Sequence, residues 1–126
     1  TELSQNEFRY YEIINGYESS NYIDVLKENN KIIDSEDHRN EYTQVLEINS
    51  DYLNFSAAES INLETSRCNL MQENDEHIVY YNFDGVMTPI KITFCTYVDK
   101  SGNKLLEAEC INLYNGEKVN YSDIIF

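Results

Sequence analysis

IVYYNFDGVMTPIKITFCTYVDKSGNKLLEAECINLYNGEKVNY, residues 78–121, is the stretch that decides the fold. It reads as four strands, IVYYNF, IKITFCTYV, KLLEAECINLY and KVNY, joined by DGVMTP, DKSGN and NGE. Ile90, Ile92, Phe94 and Val98 alternate with Lys91, Thr93, Cys95 and Tyr97. That period of two marks a strand with one face buried. On the return arm Leu106, Ala108 and Cys110 alternate with Glu107 and Glu109. Setting Phe94 opposite Ala108 and Ile92 opposite Cys110 keeps both apolar sets on one face. A slip of one residue would put Glu109 in the core, so the pattern selects this register. It also predicts a wet face holding Lys91, Thr93 and Glu109. Asp84-Gly85, Gly102-Asn103 and Asn115-Gly116 supply turn residues that tolerate positive φ.

Upstream, the spacing predicts helices. Ser4-Gln-Asn-Glu7 has the form of a capping box. Tyr10, Ile13, Ile14 and Tyr17 follow at helical intervals, with Gly16 as a stop. A second helix is expected from Ser20, carrying Tyr22, Ile23 and Leu26 and ending at Asn29-Asn30. Residues 34–41 read as a charged loop or the first turn of a helix, and strands are expected at 42–48 and 59–65. QENDE at 72–76 reads as a polar loop. Glu59-Ser-Ile-Asn-Leu63 echoes Glu109-Cys-Ile-Asn-Leu113, which a duplicated hairpin would explain. The expected fold is α+β: a single domain, 1–126, with one or two N-terminal helices within 1–30 packed on an antiparallel, meander-rich sheet over 42–121. The alternative is an all-β sandwich with an N-terminal helix.

The 126 residues are 41% hydrophobic, enough for a core without staples. Net charge is −14, which argues against direct nucleic-acid binding and against an anionic membrane surface. No apolar run has bilayer length and no signal-peptide core is visible, so no membrane insertion is expected and a cytoplasmic compartment is favoured. Cys68, Cys95 and Cys110 are odd in number, and the register puts Cys95 and Cys110 on opposite faces. Three free thiols are expected rather than a disulfide framework.

No motif reaches catalytic, metal or nucleotide specificity, and no cofactor is implied. Glu36-Asp37-His38 and Asp75-Glu76-His77 offer metal-ligand types, but adjacent loop residues rarely converge on one ion. Asp99-Lys-Ser-Gly-Asn103 opens like a calcium loop, then departs at Lys104 and Cys110. Neither histidine is tied by spacing to a cysteine nucleophile. Two glycosylation patterns, at Asn54 and Asn120, are expected by chance in so Asn-rich a chain.

Charge distribution is more informative. Residues 1–77 hold 17 Asp/Glu and 5 Lys/Arg, whereas residues 78–126 hold 6 and 4. Eleven tyrosines and no tryptophan add stiff amphipathic contact area of the kind used at interfaces. The sequence therefore points to a non-enzymatic acidic interaction domain of inhibitor, immunity or DNA-mimic type, binding a protein with a basic surface. The expected contact residues are Asp34, Glu36, Asp37, Glu41 and Tyr97. The alternatives are a structural or extracellular head domain, such as a minor pilin-like subunit, and a small ligand-binding or enzymatic domain.

Overall fold

The computed structural model describes residues 2–54, 68–99 and 101–124. Among these residues eight strands run in chain order: β1 (Glu7–Ile14), β2 (Tyr17–Glu28), β3 (Lys31–Asp37), β4 (Gln44–Val45), β5 (Cys68–Phe83), β6 (Val86–Asp99), β7 (Lys104–Asn112) and β8 (Lys118–Val119). They form one mixed sheet in the order β1-β2-β5-β6-β7-β8, with β3 on β2 and β4 on β6. Strands dominate, helix is confined to short 3₁₀ turns, and no helix of seven or more residues occurs among those described. The expected α+β fold is therefore wrong, as is the N-terminal helix of the all-β alternative. No helix among the described residues is long and apolar enough to cross a membrane.

Turn chemistry explains why 1–30 is not helical. Asn15 and Gly16 lie at φ 51° and 87°, and Asn29 and Asn30 at 52° and 63°. Consecutive positive-φ residues make two-residue turns that match the right-handed twist of a hairpin. The supposed helix stops are thus the corners of two hairpins, β1–β2 and β2–β3, both antiparallel. Leu3 and Ser4 donate to the Glu7 carbonyl (2.7 and 3.4 Å), so the capping-box segment is a turn feeding β1.

The strand character of β2 is hidden because its inward residues at the sheet junction are polar. Ser19 and Asn21 are fully buried beside Val25. The Ser19 hydroxyl donates to the Glu12 carbonyl (2.7 Å). The Asn21 amide donates to the Asn40 carbonyl (3.0 Å) and accepts from the Asn40 N–H (2.9 Å). Satisfied in this way, buried polar groups are tolerated, but they leave no apolar alternation to read.

The central hairpin has the register the sequence selects. Phe94 faces Ala108 and Ile92 faces Cys110. Ile90, Ile92 and Cys110 form a core with Ile124, which arrives from a 3₁₀ turn at Tyr121–Asp123. The opposite face is not wet, however. Lys91, Thr93 and Glu109 are only 6%, 2% and 6% exposed, and Cys95 is fully buried. Segment 46–54 supplies partners on this side: the Lys91 ammonium donates to the Leu53 carbonyl (2.9 Å) and lies 3.0 Å from Glu76. Glu109 lies 3.7 Å from the Lys118 ammonium. At the far end of the hairpin the apolar face is uncovered, and Leu106 is 69% exposed.

Of the strand expected at 42–48 only Gln44–Val45 forms, and it pairs parallel to β6 rather than in a hairpin. The expected strand at 59–65, and with it half of the internal echo, lies outside the described residues. QENDE is not a loop. It lies within β5, whose pairing with β6 is irregular between Leu70 and Gln72 and between Glu73 and Glu76. β6 begins at Val86, directly after the Asp84-Gly85 turn, so Pro89 sits inside a central strand. Pro89 accepts from the Leu113 N–H (2.9 Å), so its missing donor also points away from β5. That edge is the gap where β4 has ended and β7 begins, so no ladder bond is lost.

The two halves of the molecule meet at Ser19 and Tyr80, which form a parallel bridge. Tyr80 is buried with Ile14 and Met87, and Tyr17 and Tyr42 pack against them.

Candidate binding face on the N-terminal sheet

Register places residues 15 or so apart in sequence into rows across β1, β2 and β3. One row is Arg9, Asp24 and Glu36; the next holds Tyr11 and Tyr22. His38, one residue past β3, joins that second row by donating its N–H to the Tyr22 carbonyl (2.9 Å). Glu7, Leu26 and Asp34 form the row on the other side. Alternation puts all of these on one face of the three-stranded sheet.

The Arg9 guanidinium grips Asp24 with two bonds, Nε to Oδ1 at 2.8 Å and Nη2 to Oδ2 at 3.0 Å. It also lies 4.0 Å from the Tyr22 ring centroid. His38 stacks on the same ring at 4.7 Å, and Tyr11 meets it edge-on at 5.9 Å. The His38 Nε2 is 3.2 Å from Glu36 Oε1 and 4.0 Å from Asp24 Oδ2. The Arg9 hydrogen bonds hold the Asp24 carboxyl below its ordinary range and raise the guanidinium further. A carboxylate of this kind adds stability that is fully present above about pH 4 and lost as pH falls through its lower folded value. Asp24→Asn is therefore expected to cost about 1 kcal/mol at pH 7. The gap from wild type should close below the carboxylate range in urea melts followed across pH. A gap that persisted at the acid end would show that Asp24 acts through packing rather than charge.

The five contact residues expected from sequence do not form one patch. Asp34 and Glu36 share the face just described, and Asp34 accepts the Ser35 N–H (2.9 Å). Asp37 pairs with Ile23 on the opposite face. Arg39 clamps it with two side-chain bonds of 2.9 and 2.8 Å, which lower its pKa to about 2. Glu41 is exposed in the loop after β3, where its carbonyl accepts from the Asn82 side chain (3.1 Å). Tyr97 belongs to β6 in the other half, and its side chain lies outside the described residues. Sequence reasoning gives Arg9, Tyr11 and Asp24 no role, and takes Tyr22 only as a helix-face residue and His38 only as a metal-ligand type. The signal available for them was the Asn15-Gly16 and Asn29-Asn30 hairpin corners, which bring their strands together.

The two acidic tripeptides do not converge. Glu36 faces His38, whereas Glu76 faces Lys91 and His77 meets the Phe94 ring edge-on at 6.2 Å. Among the described residues no group of three His, Cys, Asp or Glu is placed to hold a metal ion. In the DKSGN segment Gly102, between β6 and β7, lies at φ 83°. Cys95 and Cys110 are both buried, and burial first, then Glu109, pushes the Cys110 thiol up to about 12. At pH 8 neither is expected to react with iodoacetamide in the native state, read by peptide mass mapping, because the thiolate is the reactive form. Rapid native labelling of Cys110 would contradict its burial.

No family model matches the chain, and neither a curated protein nor a solved structure does.

Proposed function

We propose that this chain is a non-enzymatic interaction module that captures a protein with a basic surface on the open face of β1–β2–β3. The observation that carries this is the set of carboxylates on that face without a cation of their own. Asp24 is neutralised by Arg9, but among the described residues neither Asp34 nor Glu36 has a Lys or Arg partner. Residues 2–41 hold ten Asp/Glu and four Lys/Arg. Tyr11, Tyr22 and His38 add ring area between the charges. All seven residues of β3 are exposed, and among the described strands β3 pairs only with β2. A charged strand of this kind resists pairing with a copy of itself and attracts a partner of opposite sign.

The test is a titration with a Lys/Arg-rich peptide at low and high salt. Affinity is expected to fall about tenfold or more between roughly 50 and 300 mM salt, because exposed charges are screened. The double reversal Asp34→Lys, Glu36→Lys should weaken binding by a similar factor, while Asp123→Lys, in the C-terminal turn, should not. Binding indifferent to salt, or to the double reversal, would refute the reading.

A further inference from the structure

Beside the candidate face, where β1–β2 meets β5–β6, lies a hollow of about 240 Å³. Its walls include Tyr11, Glu18, His77, Val79, Ile92 and Phe94. This is smaller than the roughly 300–1,000 Å³ of sites for drug-sized ligands, and is on the scale of one long side chain. Tyr11 and Glu18 come from the face of the N-terminal sheet that also carries Tyr22. His77, Val79, Ile92 and Phe94 come from one face of β5–β6, where His77 and Val79 are opposite Ile92 and Ile90. Two apolar residues, three rings, one carboxylate and Ser19 thus surround the space. Among the described residues no cation pairs with Glu18.

The same molecule holds a filled version of this arrangement close by. In the adjoining rows a guanidinium lies 4.0 Å over the Tyr22 ring and is gripped twice by Asp24. A planar guanidinium stacks on rings and forks onto a carboxylate with geometry that ammonium lacks. The hollow offers the ring and carboxylate parts without the cation, on a domain with an excess of acid.

We infer that this hollow is an anchor site for one arginine side chain of the basic partner, with the guanidinium among Tyr11, His77 and Phe94 and paired to Glu18. The inference rests on the proposed binding of a basic partner and deepens it: the open face supplies long-range attraction, and the hollow supplies one close contact. Arginine is among the residues in which the binding energy of an interface concentrates.

The experiment uses N-acetyl-arginine methylamide as the probe, with the citrulline analogue as its neutral isostere. Binding is followed by NMR shifts of Glu18, His77 and Phe94. Saturable shifts with arginine and none with citrulline are expected. Glu18→Gln is expected to weaken arginine binding about tenfold, the size of one charge-assisted pair, with amide dispersion unchanged because Glu18 is exposed. Equal shifts with citrulline, no saturable shifts, or an affinity untouched by Glu18→Gln would overturn the assignment. The Lys/Arg-rich peptide separates the two claims. If it binds in a salt-dependent way that Glu18→Gln does not alter, the face stands and the anchor falls. If the arginine probe passes its test but the peptide does not bind, the anchor stands and the wider reading falls.

Discussion

Tyr80→Ala is expected to destabilise the protein by about 3–5 kcal/mol, the range for deleting a buried aromatic ring. Tyr80 has no exposed surface and packs with Ile14 and Met87 where the two halves of the sheet meet. Its hydroxyl donates to the Leu46 carbonyl and accepts from the Asn15 side chain, both at 3.0 Å. The residue therefore ties three segments together: the β1–β2 corner, the segment after β4, and β5. Tyr80→Phe separates the two contributions. It keeps the ring but leaves those polar partners unmatched, which costs about 1–3 kcal/mol. Urea denaturation of both variants measures the difference. A Phe variant as unstable as the Ala variant would mean that the hydrogen bonds, not the packing, hold the joint.

The second large effect is expected at Lys91. Lys91→Glu should cost at least about 4 kcal/mol, because it removes a buried cation and puts a second negative charge beside Glu76. Glu109, diagonal to Lys91 on the same face by the β6–β7 register, adds to the repulsion. Lys91→Met should cost less, since methionine retains the apolar stem that lysine packs inside. The comparison by thermal or urea unfolding decides whether charge matters here. If the two variants are equally stable, the Lys91–Glu76 pair contributes nothing and the face is held by packing alone.

Lys91 also shows where the sequence misleads. A period of two with charged residues on alternate positions ordinarily means one solvated face. In β6 Lys91 is buried, its charge met by the Leu53 carbonyl and Glu76, and in β7 Glu109 is buried beside Lys118. Only segments distant in sequence provide those partners, so no local pattern announces them. The N-terminal hairpins failed for the reverse reason. Their inward residues at the junction, Ser19 and Asn21, are polar and satisfied by Glu12 and Asn40, so the strand signal disappears while Tyr10, Ile13, Ile14 and Tyr17 still fit a helix. The Asn-Gly and Asn-Asn corners carried the correct message.

The candidate site was half legible. Asp34 and Glu36, two residues apart, share a face in any strand. Asp37 could not be excluded from them without knowing that Arg39 returns to clamp it. Arg9 and Tyr22 come from two strands and His38 from just past a third, and only register makes them neighbours.

By itself the sequence determined the corners, the β6–β7 register and the acidic load. Each follows from local chemistry: positive φ suits Gly and Asn, a one-residue slip would bury Glu109 in the apolar layer, and carboxylates are simply counted. The tertiary structure alone decided that the first thirty residues form a hairpin, that the Lys91–Cys95 side of β6 is covered, and which of the described carboxylates lack a Lys or Arg partner. Those outcomes depend on what packs against each residue, and the packing partners lie tens of residues away in the chain.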